Sequence, residues 1–86
     1  MEIQVYGQLR AATDGKTVTV TPNEPTVAGL VTALCVQYPR AESQLLDESG
    51  DLRPSVRVMV DGETADLDTA CPADADIKLF PAMQGG

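Results

Sequence analysis

The chain has 86 residues, 43% of them hydrophobic and 22% charged, which is ordinary globular usage and length enough for one apolar core, so disorder and fibrous repeats are excluded. Its 13 Asp and Glu against six Lys and Arg give a net charge of -7, which repels nucleic-acid phosphates and anionic membranes and favours a partner with a basic surface. Two cysteines, Cys35 and Cys71, and no histidine supply neither the four thiolates of an iron–sulfur cluster nor a good zinc set, so no metal is expected.

Met1 leads straight into a strand-like pattern rather than a charged and then apolar signal segment, and no apolar run approaches the roughly 18 residues of a membrane helix. The cytoplasm is the expected compartment, with neither a nucleic acid nor a membrane as partner. From Glu2 to Gly7, Ile3 and Val5 alternate with Gln4 and Tyr6, as in a half-buried strand. Asp14-Gly15 is a turn pair tolerant of positive φ, and the β-branched run Thr17 to Thr21 behind it predicts a hairpin. Between Pro25 and Pro39, Val27, Leu30, Val31, Leu34 and Tyr38 fall at helical spacing, with Thr26 placed as the cap. Gly29 costs this helix stability, and Pro39 requires it to end near Tyr38.

A shorter helical turn is predicted over Ala41 to Leu46, then an exposed loop at Asp47 to Asp51. Ser55 to Val60 reads as a strand with Val56, Val58 and Val60 on one face and Arg57 and Met59 on the other, closed by Asp61-Gly62. A short return segment near Glu63 to Leu67 precedes the connection Cys71 to Asp76, and Ile77 to Phe80 is the last strand, stopped by Pro81. This order predicts a two-layer α+β domain, residues 1 to 81, in which a mixed sheet packs on one main helix, and a β-grasp fits it. Residues 82 to 86 read as a flexible tail.

At the average glycine usage of about 7%, two glycines at a terminus are roughly a one in two hundred coincidence, so Gly85 and Gly86 call for a physical reason. That reason is access: without side chains the last residues can thread a narrow channel, followed through it by Gln84 and Met83. From Pro81 to Gly86 an extended chain spans about 17 to 20 Å, so the body stays outside while the tip enters. A terminal carboxylate, of unperturbed pKa about 3.3 to 3.7, is a stable anion at neutral pH and needs activation by another protein before acyl chemistry.

Four segments carry a resemblance: I-x-V-x-G-x-L-R from Ile3 to Arg10, T-V-x-x-L-V-x-x-L from Thr26 to Leu34, V-x-V-x-V-D-G from Val56 to Gly62, and the closing L-F-P-x-x-x-G-G. Together they resemble the MoaD/ThiS family of ubiquitin-like sulfur carriers. The resemblance implies a β-grasp fold and adenylation of the Gly86 carboxylate with ATP by a ubiquitin-activating-type enzyme. A sulfur donor then leaves a thiocarboxylate, which a sulfur-accepting synthase consumes in cofactor (molybdopterin or thiamine), cysteine or specialised-metabolite biosynthesis. It implies no permanently bound cofactor and no active site in the carrier itself. Three alternatives stay open: a protein modifier forming isopeptide bonds to lysine, the small subunit of molybdopterin synthase, and a noncatalytic interaction module.

Alternation sends Ile3, Val5, Val56, Val58, Val60, Ile77 and Leu79 toward the helix, and Tyr6, Arg57, Met59, Lys78 and Phe80 to the outer face. That mixture of aromatics, methionine and cations has interface composition. With Pro81 it forms the candidate docking face, and the resemblance supports Phe80 as a contact. Cys35, on the apolar side of the helix, reads as an inert core thiol, whereas the loop position of Cys71 beside Pro72 allows exposure of its thiol. Asp61, Glu63, Asp66 and Asp68 read as a solvated acidic edge that steers a basic partner.

Overall fold

The computed structural model describes residues 1–7, 9–13, 15–54 and 56–80. Strands β1 (Glu2–Val5), β2 (Thr17–Thr19), β3 (Arg57–Val60), β4 (Glu63–Ala65) and β5 (Ile77–Phe80) form one mixed sheet in the order β2-β1-β5-β3-β4. β5 lies at its centre, parallel to β1 and antiparallel to β3. Helices α1 (Leu9–Ala12), α2 (Val27–Gln37) and α3 (Pro39–Leu45) supply the second layer. This is the expected β-grasp, and the last strand has the boundaries that its sequence predicts. Among the described residues no helix is long and apolar enough to cross a membrane.

The core follows the period of two. Ile3, Val5, Val56, Val58, Val60, Ile77 and Leu79 are all buried, together with Val27, Leu30, Val31 and Leu34 from α2. Thr26 caps α2 as predicted, its Oγ1 accepting from the Gly29 amide at 3.1 Å. α3 begins at Pro39 rather than Ala41, because proline at the first helical position loses no hydrogen bond and has its φ already set.

Two further features of the backbone depart from the sequence reading. The segment between β1 and β2 is more than a hairpin: Gly7, at φ 61°, turns the chain off β1 into the single turn α1, whose Leu9 and Ala12 are buried. Gly29, which only weakens a helix by propensity, sits where the loop before α2 crosses it. A Cβ there would lie 2.5 Å from the carbonyl oxygen of Glu24, so glycine is what lets the two backbones approach.

Candidate functional site

The outer face of the sheet is built by the alternation that fills the core. The pairings Gln4 with Thr17, Gln4 with Lys78, Lys78 with Met59 and Met59 with Thr64 place these five side chains in one row across all five strands. One step along the strands, Phe80 pairs with Arg57, and the Tyr6 amide donates to the Leu79 carbonyl at 3.0 Å. That bond extends the β1–β5 ladder by one residue and brings two aromatic rings side by side. Tyr6 and Phe80 stack with centroids 4.6 Å apart and planes 14° from parallel, an arrangement worth about 0.5–1.5 kcal/mol beyond the area it buries. The Tyr6 hydroxyl donates to Gln4 Oε1 at 3.0 Å, which fixes the ring's polar end.

Arg10 completes this corner. Its Nε donates to the Val5 carbonyl at 3.1 Å, and its guanidinium lies 5.9 Å from the Tyr6 ring centroid, within cation–π range. The turn at Gly7 makes this possible by bringing α1 back beside the end of β1. The opposite end of the same face is acidic: Glu2 is exposed on β1, and Asp61 and Asp76 hold each other through Asp76 N to Asp61 Oδ1 and Asp61 N to Asp76 O, both 2.9 Å. Charge is therefore segregated along the strand axis, with cations at the end where β5 finishes.

Tyr6, Arg57, Met59, Lys78 and Phe80 thus share the outer face, as predicted, with Arg57 exposed and the other four half-buried. Pro81, Met83, Gln84, Gly85 and Gly86 lie outside the described residues. Arg10 is the member that alternation does not single out. Its signal is its place in I-x-V-x-G-x-L-R, where a glycine two residues before the Leu-Arg pair marks a chain reversal.

The acidic residues Asp61, Glu63, Asp66 and Asp68 are all exposed, as expected. Asp66 Oδ1 accepts from the Asp68 amide and from Thr69 Oγ1, both at 3.1 Å, so it stabilises its own turn. The possibility of an exposed Cys71 is corrected: this thiol is 1% exposed, with Sγ 3.8 Å from the Met1 sulfur, because the loop folds back to give the Cys71 amide to the Pro25 carbonyl at 2.8 Å. Burial raises its pKa, with a further push from Asp61. Cys35 is half-buried against the core, and burial, then the Glu42 carboxylate, pushes its thiol from 9.0 up to about 11. At pH 8 iodoacetamide should therefore alkylate Cys35 on the order of a hundred-fold more slowly in the native protein than in denaturant, the thiolate being the nucleophile. Equal rates, read by peptide mass mapping, would show the thiol to be unprotected.

Comparison with known proteins agrees with this fold. The ThiS family model matches residues 3–86. Small archaeal modifier protein 1 of Haloferax volcanii is 31% identical over 87 residues, covering 100% of both chains. Its crystal structure superposes with a TM-score of 0.86 at 29% identity, over 99% of this chain and 97% of that one. The Amycolatopsis orientalis BexX/CysO complex gives a TM-score of 0.83 at 21% identity, over 99% and 98%, and supports the fold alone. With the family model running from β1 through Gly86 and a relative aligned along its full length, the chain belongs to the ThiS family, among the ubiquitin-like sulfur carriers and modifiers.

Proposed function

We propose that this protein is a sulfur carrier whose reacting group is the carboxylate of Gly86. The observation that carries the reading is the placement of β5. The central strand finishes at Phe80, inside the aromatic and cationic corner, with six residues to Gly86 still to come. A partner gripping that corner is in position to receive the tail through Pro81, Met83, Gln84 and Gly85.

The partner is a ubiquitin-activating-type enzyme in the cytoplasm. It joins the carboxylate oxygen to the α-phosphorus of ATP with release of pyrophosphate. Sulfide (HS⁻) from a sulfur donor then attacks the acyl carbon, displaces AMP and loses its proton, leaving a thiocarboxylate on Gly86. The carrier binds no cofactor of its own and serves as a co-substrate, and docking to a sulfur-accepting synthase decides where the sulfur goes. A second reading, favoured by the relative named small archaeal modifier protein 1, has the same activated carboxylate acylate a lysine amine to form an isopeptide.

Intact-protein mass spectrometry on the chain isolated from its native cells separates these outcomes. Exchange of one oxygen for sulfur marks the carrier, whereas a lysine-linked adduct that has lost water marks the modifier. Only unmodified carboxylate, even with the activating enzyme and sulfide supplied, would refute both. The docking face has its own test. Truncation of a central interface aromatic costs 2 kcal/mol or more, about 30-fold in affinity, so Phe80→Ala should raise the KM for the carrier in ATP–pyrophosphate exchange by that factor. Circular dichroism checks that the variant is folded, and unchanged kinetics would reject the anchor.

A further inference from the structure

The sheet has two edges, β2 and β4, and they are not equally guarded. β4 carries exposed Glu63 and runs into exposed Asp66. β2 is a Thr-Val-Thr strand with exposed Lys16 before it and no charged residue, proline or bulge within it, the kind of edge that accepts another strand. Its backbone register is fixed by three bonds: Val5 N to Lys16 O at 2.7 Å, Val20 N to Met1 O at 3.0 Å, and the Met1 amine to Val20 O at 3.0 Å. In an antiparallel pair the inward and outward groups alternate. Lys16, Val18 and Val20 therefore turn their backbone groups to β1, while Thr17 and Thr19 turn theirs away from the sheet.

One of those outward groups already has a surrogate partner. Gln37, the last residue of α2, donates from Nε2 to the Thr19 carbonyl at 3.1 Å, where the amide of a further strand would donate. Beside this edge runs a groove of about 720 Å³ between β2 and α2, lined by Thr19, Thr21, Glu24, Ala33, Val36 and Gln37 among others. Val36 is 77% exposed and is the large hydrophobic residue left open among those described. Glu24 is the one charged residue in the lining among the described residues.

We propose that β2 and this groove form a second docking surface, on which a partner protein adds an extended segment as a sixth strand. The outward backbone groups of Thr17 and Thr19 select an extended backbone, Val36 and Ala33 select an aliphatic side chain, and Glu24 selects a lysine or arginine. Charge complementarity excludes a second copy of this chain, which would bring another -7 against the first. The surface lies at the sheet's β2 edge, two strands from Phe80 on the central strand, so a partner can hold it while the outer face is engaged.

The probe is the peptide acetyl-Lys-Val-Arg-Ile-Lys-Val-amide, titrated into the intact chain and followed by amide NMR shifts and hydrogen exchange, with its Glu-Val-Asp-Ile-Glu-Val counterpart as control. The basic peptide should slow exchange at the Thr17 and Thr19 amides by about ten-fold and shift Val36, while the acidic one leaves them unchanged. Thr19→Pro should abolish the effect, since its N–H faces away from the sheet and an edge position tolerates proline. Val36→Ser, at an exposed site that leaves the core intact, should weaken it about ten-fold by removing the aliphatic contact in the groove. Shifts confined to the outer face, equal binding of the two peptides, or full binding by both variants would overturn the proposal. So would protection of Thr17 and Thr19 that rises with protein concentration in the absence of peptide, which would assign the edge to self-association.

Discussion

Deletion of Gly85 and Gly86 is expected to abolish acyl-adenylate and thiocarboxylate formation while leaving the thermal midpoint of the body unchanged. The core is assembled from residues between Ile3 and Leu79, so nothing that holds the fold together is removed. What is lost is the group proposed to react and the two residues whose lack of side chains would let it pass into an enclosed site. Gly86→Ala separates the two contributions, because it keeps the carboxylate and adds one methyl group. Its ATP–pyrophosphate exchange should fall by about 100-fold, the cost attached to a small misplacement of a reacting group. Both variants are read by exchange with the activating enzyme and by intact mass. Sulfur transfer sustained by the truncated chain would remove the basis for the proposed function.

Leu79→Ala, like Ile77→Ala, should produce one of the two largest losses of stability available from a single side chain in β5. Leu79 is 1% exposed and pairs with Val5 on one side and Val58 on the other, both in the core. A leucine truncated at such a site costs about 2–5 kcal/mol, transfer and cavity together, against a total that for small domains is about 5–15 kcal/mol. Its neighbour Phe80 points the other way. Phe80→Ala loses the stack on Tyr6 and no core contact, about 0.5–1.5 kcal/mol, while carrying the binding defect. Urea unfolding followed by circular dichroism should rank the two accordingly, and comparable losses would contradict the assignment of faces.

Those faces are legible in the sequence. A period of two leaves Ile77 and Leu79 on one side and Lys78 and Phe80 on the other, whichever strands flank them, and the same holds for Ile3, Val5 and the valines of β3. The cap at Thr26 and the stop before Pro39 are equally local, each resting on chemistry within four residues of chain. α1 is not legible, because four residues are too few to show a helical period and its Leu9 reads equally well as a continuation of a turn. Gly29 reads from sequence only as a cost, since its reason, the carbonyl of Glu24 above the helix, is a meeting of two segments. Cys71 stays open for a similar reason: a loop residue's burial is set by what the loop packs against.

The residues by themselves determined which side chains share a face and where the main helix begins and ends, and they carry the chemistry proposed for the terminal Gly85-Gly86. Only the tertiary structure decided which faces stand beside one another. β1 and β5 lie at opposite ends of the chain, and their parallel pairing brings Tyr6 onto Phe80, Arg10 under Tyr6 and β2 to an open edge. Alternation is a property of one strand's backbone and is written in its sequence. Adjacency is a property of the whole sheet, selected by how all its strands together cover α2.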